Sequence, residues 1–210
     1  MKLMKCLPVF LAASLMGMTT YADDLIVTGF TGVSGTIDGD LIVEDGGIAL
    51  LDNALVKGNV EVKPGGRLSS SLSTSTTEGN VEAEEARGVT LNRDVVFGDV
   101  QVKKSGGGGF VVVFNSLVGG NVQLEENDAS MVFCSGNTVL GDVQVSKNVA
   151  TLVFILNSDV GGNLECGENV SHVDIRIGNN GISGNLECRE NDPNPIVSGN
   201  VVAGDIECDD

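Results

Sequence analysis

The side chains best equipped for chemistry lie close together near the C-terminal end, where His172, Asp174 and Arg176 alternate with Val173, Ile175 and Ile177. Alternate residues of an extended strand share a face, so the spacing predicts that all three project from one side of a strand. An imidazole that carries a proton beside a guanidinium that clamps an anion would suit an acidic sugar. Yet His172 is the only histidine in the chain, and no long loop stands nearby to wall a groove. Charged residues alternating with aliphatics also describe a solvated, salt-bridged strand face, and that reading is preferred.

Two further sets invite the same question. Glu61, Glu82, Gln101, Gln123, Gln144, Glu165, Glu187 and Glu207 recur at matching places of a repeated phrase. If they stack, carboxylates about 5 Å apart repel, and a calcium ion could relieve them. The glutamines break that column as a solvated face would, so no metal or cofactor is expected. The second set is the cysteines. Cys166, Cys188 and Cys208 occupy one slot of successive phrases, Cys134 stands apart, and no CxxC pair suggests zinc or redox chemistry. Stacked neighbours sit wider apart than the ~3.8 Å Cβ separation that a disulfide prefers. A slack terminal coil can adjust where a central one cannot, which favours a Cys188–Cys208 bridge with Cys134 and Cys166 as small buried apolar residues.

The element that must position these groups is a repeat. Glycine, then Asn or Asp, then an aliphatic, a polar and another small or apolar residue begins at Gly39, Gly58, Gly79, Gly98, Gly120, Gly141, Gly162, Gly184 and Gly204. A period of about 21 residues without helix signals indicates a solenoid. Alternation in Val100-Gln101-Val102 or Leu164-Glu165-Cys166 puts aliphatics inward and Gln or Glu outward. Val62, Ala83, Val102, Leu124, Val145, Cys166 and Cys188 should then form one interior column. A second strand precedes each phrase, as in Phe110 to Phe114 and Leu152 to Leu156. Asn53, Asn115, Asn157 and Asn179 lie five residues before a phrase glycine and Asn137 four before, which suits left-handed, hydrogen-bonded corners. The expected fold is all-β: a right-handed parallel β-helix of about nine coils, since crossovers between parallel strands are overwhelmingly right-handed. The period is least clean at the ends, where Asp23 to Asp38 lacks the full phrase and Gly199-Asn200-Val201 repeats it early.

The N-terminal residues Lys2 and Lys5, an apolar stretch from Leu7 to Met18 and the small residues Thr20 and Ala22 read as a secretory signal peptide over residues 1–22. The β-helix domain then spans 23–210, with a C-terminal cap near 185–210. Removing two lysines from 12 basic residues leaves 10 against 29 acids, a formal charge of −19. Such a surface disfavours nucleic acid, and no membrane insertion is expected. Oxidation of cysteines agrees with a secreted, periplasmic or cell-surface location.

In the middle coils both parities of the second strand are apolar: Phe110 to Phe114, Met131 to Phe133, Leu152 to Leu156. One parity must face out, and the sequence reading assigns that side to Val111, Val113, Val132, Val153 and Ile155. An exposed aliphatic stripe of this size implies contact, here side-by-side self-association or a surface glycan or protein partner.

The segment GNLECRENDPNP from Gly184 to Pro195, followed by SGNVVAGDIEC, resembles secreted bacterial β-solenoid proteins of mostly unassigned function, in which a GNLxC phrase and a final Cys close the rod. The middle is broadly similar to adhesin-type β-helices. The resemblance implies an exported fold and carries no catalytic residues. The expected function is a non-enzymatic structural, surface or adhesion-type binding module. The alternative is a carbohydrate-active β-helix of the polysaccharide lyase kind acting on acidic glycans, although such proteins use a cleft walled by long loops.

Overall fold

The computed structural model describes residues 20–70 and 73–208; most of the expected signal peptide lies outside them. Among the described residues all regular structure is β, and every strand pairing is parallel. From Arg67 onward a winding contributes three strands, whereas in the two windings before it the long and short strands are continuous, as Phe30–Ile37 and Ile48–Val56. In one three-stranded winding a long strand, Phe110–Phe114, is followed by a short strand, Leu117–Val118, and then by the phrase strand Val122–Glu125. Phrase strands stack into a ten-stranded sheet that runs without interruption from Leu25–Val27 to Ile206–Cys208. Long and short strands stack into a seventeen-stranded sheet. The molecule is therefore a parallel β-solenoid, as the 21-residue period requires.

Inward positions form continuous columns of aliphatics. On the phrase face Val62, Ala83, Val102, Leu124, Val145, Cys166 and Cys188 are buried and in register. A lone winding has nothing against which to bury this side; the stack supplies it. At the C-terminal end Val197 and Ile206 occupy inward columns yet are 37 % and 58 % exposed. No described winding covers them.

The corners explain the phrase. Asp40, Asn59, Asn80, Asp99, Asn121, Asp142, Asn163, Asn185 and Asp205 each donate their backbone N–H to the Oδ1 of the equivalent residue one winding earlier, at 2.6–3.0 Å. Among the described residues the ladder begins at Asp24, so a phrase strand, Leu25–Val27, lies within Asp23 to Asp38 although the full phrase is missing there. The phrase glycine packs against that same Oδ1. A Cβ at Gly58, Gly98 or Gly162 would lie 2.1 Å from it, so any larger residue collides with the ladder.

The other corners are left-handed. Asn53, Asn115, Asn157 and Asn179 have φ of 53°, 50°, 52° and 55°, as expected after the long strands. After the phrase strands the left-handed residues are Glu85, Lys104, Glu126, Lys147, Glu168 and Glu190, which the sequence reading missed. Each of the last four turns the following asparagine into the interior: Asn127, Asn148, Asn169 and Asn191 are buried and hydrogen-bonded from winding to winding. Gly199-Asn200-Val201 is not an early copy of the phrase. Gly199 is a left-handed corner with φ 68°, Asn200 joins a buried ladder and Val201 starts a short strand.

Candidate functional face

The apolar stripe lies on the long-strand face with its parity opposite to expectation. Val111, Val113, Val132, Val153 and Ile155 are all buried, at 0–1 % exposure, and continue the inward columns. Val111, Val132 and Val153 lie in register with Val89 and Ile175, and Val113 and Ile155 with Leu91 and Ile177. The physical reason is volume. Close-packed interiors reject oversized side chains, so the column takes β-branched aliphatics, and the phenylalanines turn outward.

Two outward columns result. One runs Phe30, Ile48, Arg67, then past Gly88 to Phe110, Met131, Leu152 and Asp174. The other runs Leu50, Ser69, Thr90, Val112, Phe133, Phe154, Arg176 and Ile196. Beside them Phe114 leans across one winding to Phe133 with ring centroids 5.8 Å apart. Phe133 meets Phe154 at 6.2 Å, and the Arg176 guanidinium sits 5.7 Å above the Phe154 ring. Tilted aromatic contacts of this kind add modest attraction beyond burial.

The charged trio at the end of these columns divides. Asp174 and Arg176 do share the outer face and form an ion pair. His172 does not join them in a regular alternation, because a bulge sets Ser171 opposite Ala150 and Asp174 opposite Leu152. Val173, expected to face inward, is consequently 64 % exposed. Ser171 is buried instead, its Oγ donating to the carbonyls of Thr151 or Asp174. The His172 Nδ1 lies 3.0 Å from the Ala150 carbonyl. The trio is thus a bulged strand edge with each group already engaged by its own neighbours.

The phrase face carries the acidic column in register, extended at its start by Ile26 and Ile42. Cationic side chains lie among its members: Lys63 pairs with Glu61, and Arg189 with Glu187 and Glu207. Gln123 donates to Gln144 at 3.0 Å. Local cations and amides thereby relieve much of the repulsion expected of stacked carboxylates.

Cys188 and Cys208 form a disulfide with Cα atoms 4.4 Å apart, while Cys134 and Cys166 are free and buried. Burial pushes both free thiols up to about 12, so at neutral pH they are packing groups rather than nucleophiles.

No family model matches the chain, and neither a curated protein nor a solved structure is similar to it. No helix among the described residues is long and apolar enough to cross a membrane.

Proposed function

We propose that the chain is an exported, non-enzymatic β-solenoid that works as a structural, surface or adhesion-type binding module, secreted or held at the periplasm or cell surface. The observation that carries this reading is the long-strand face. Three successive windings present Phe110, Val112, Phe114, Met131, Phe133, Leu152, Phe154 and Leu156 outward on a rod whose charge is strongly acidic. Apolar patches of this extent on a soluble surface mark sites of contact. A stacked sheet holds them rigidly, so little ordering entropy is spent on association. The Cys188–Cys208 bridge is compatible with an oxidising compartment.

The test is capture. The rod, lacking residues 1–22, is passed over an array of glycans, surface proteins and the rod itself, beside a Phe154→Lys variant. Retention on at least one ligand, weakened by the lysine, is expected; equal retention of both proteins, or none, would sink the reading. The same preparation is assayed on uronic-acid polymers with calcium. Unsaturated product that disappears in Arg176→Ala would replace the binding module by a carbohydrate-active enzyme.

A further inference from the structure

We propose that the long-strand face is the interface of an antiparallel homodimer, with the two-fold axis crossing the winding of Met131 and Phe133. The proposal builds on the reading of this face as a contact surface and names its partner as a second copy of the same chain.

The first argument is charge arrangement along the face. The apolar windings from Phe110 to Leu156 are bordered on the N-terminal side by Arg67 and Arg87, and on the C-terminal side by Asp174 and Asp192. Arg67, Arg87 and Asp192 are exposed, and among the described residues neither arginine is ion-paired. Arg67 stands in the same outward column as Phe110, with only Gly88 between them along the stack. Arg87 immediately precedes Gly88.

Consider a two-fold axis parallel to the strands at Phe133. It reverses the order of windings and keeps the columns. The winding of Arg87, Gly88 and Thr90 then lies opposite that of Asp174 and Arg176, and the winding of Arg67 opposite the stretch from Asp192 to Ile196. Arg87 meets Asp174, Arg176 falls over the neutral Thr90, and Arg67 lies about 10 Å along the strand from Asp192, which shares the column of Asp128, Val149 and Val170. Phe110 and Val112 cover Leu152 and Phe154, and Phe133 covers its own counterpart. A parallel pairing would instead hold both copies' Arg67 and Arg87 at the same level, base against base. The antiparallel orientation therefore keeps the unpaired arginines of the two copies apart and sets Arg87 against Asp174 twice, as an isologous interface repeats each contact, and complementary charge fixes orientation more than it adds affinity.

The second argument is area. From the Arg67 winding to the Ile196 winding there are six steps of about 4.8 Å, and five residues of strand span about 17 Å, so each copy offers roughly 500 Å² of projected face. Two copies cover about 1,000 Å² or more, which reaches the lower bound for a specific interface. Its centre is aromatic and its rim charged, the usual distribution of a stable contact.

Sedimentation equilibrium of the rod lacking residues 1–22 should give the mass of two copies, dissociating on dilution. Phe133→Lys alters an outward residue, so its far-UV circular dichroism should match the parent while association weakens about tenfold or more. Orientation is read separately. Thr90→Cys and Arg176→Cys proteins, each purified and treated with a bis-maleimide that spans about the 10 Å between facing sheets, should cross-link when mixed and stay uncross-linked alone. A one-copy mass at every concentration overturns the proposal, as does a Phe133→Lys mass equal to the parent's, or Thr90→Cys linking to itself. A monomeric rod that still captures a ligand through Phe154 would end the dimer and leave the binding module standing.

Discussion

Aspartate appears in two kinds of ladder in this rod, and the two treat it differently. At the phrase corner Asp40, Asp99 and Asp142 alternate freely with asparagines, because each rung asks for one thing: an Oδ1 that accepts the next winding's backbone N–H. The interior corners ask for more. Asn127, Asn148, Asn169 and Asn191 accept in the same way but also donate Nδ2 to the carbonyls of Val102, Leu124, Val145 and Cys166, at 2.7–3.0 Å. Asn137, Asn180 and Asn200 do likewise toward Val113, Ile155 and Ile177. An ionised carboxylate cannot donate, so the phrase corner tolerates either residue, while the buried corners select side chains that donate as well as accept: these amides and, in the second ladder, serines such as Ser116 and Ser158, whose Oγ donates to the carbonyls of Phe114 and Leu156.

The largest effect should come from forcing an acid into the deepest of these ladders. Asn148 is 0 % exposed; its Nδ2 reaches both Leu124 O and Asn169 Oδ1 at 2.9 Å. Asn148→Asp would remove both donations and set a carboxylate against the Asn169 oxygen. A loss of about 3–5 kcal/mol is expected at neutral pH, measured by chemical denaturation and partly recovered on acidification as the introduced acid protonates. A loss below about 1 kcal/mol would show that the inner amide donations matter little.

The natural exception sharpens the contrast. Asp94 occupies the interior ladder otherwise made of Ser75, Ser116, Asn137, Ser158, Asn180 and Asn200. Burial pushes its carboxyl up to about 6, despite hydrogen bonds from Ser70 Oγ and from the N–H groups of Asn92 and Ser75. An acid whose folded value lies above its unfolded one gives stability that is complete below the unfolded value of about 4. That stability is lost as pH rises through about 6. Asp94→Asn should therefore stabilise the rod above that pH, by on the order of 2 kcal/mol, and flatten the dependence of Tm on pH. An unchanged pH profile would remove Asp94 as the source.

Much of this was legible in the sequence. The spacing of glycines established the solenoid, the alternation in Val-Gln-Val established which phrase residues are interior, and the slackness of the last winding pointed to Cys188 with Cys208. The candidate face was legible only as a segment. In Phe110 to Phe114 hydrophobicity is the same on both sides, so the period-two signal vanishes, and interior volume decides the parity instead. The bulge at His172 and Val173 likewise leaves no trace in the pattern. The interior asparagines were within reach: Glu-Asn or Lys-Asn recurs at residues 126, 147, 168 and 190, at nearly the same period as the phrase. A left-handed glutamate or lysine costs about 1–2 kcal/mol, which makes such a pair an unobvious corner until the buried amide behind it is seen.

The smallest effect is expected where the comparison predicts tolerance. Asp142 is exposed, and its Oδ1 accepts the Asn163 N–H at 2.6 Å while its own N–H reaches Asn121 Oδ1 at 2.8 Å. Asp142→Asn keeps an Oδ1 in the same place, leaves the space beside Gly162 unchanged and removes one negative charge from an acidic rod. The slightly weaker acceptor and the reduced repulsion oppose each other, so stability should stay within about 0.5 kcal/mol of the parent. Asp142→Ala deletes the acceptor and leaves the Asn163 N–H to solvent, at a cost of about 1 kcal/mol. If the asparagine variant proved as damaging as the alanine one, charge rather than acceptor geometry would govern the phrase corner, and the distinction between its ladder and the buried ones would fall.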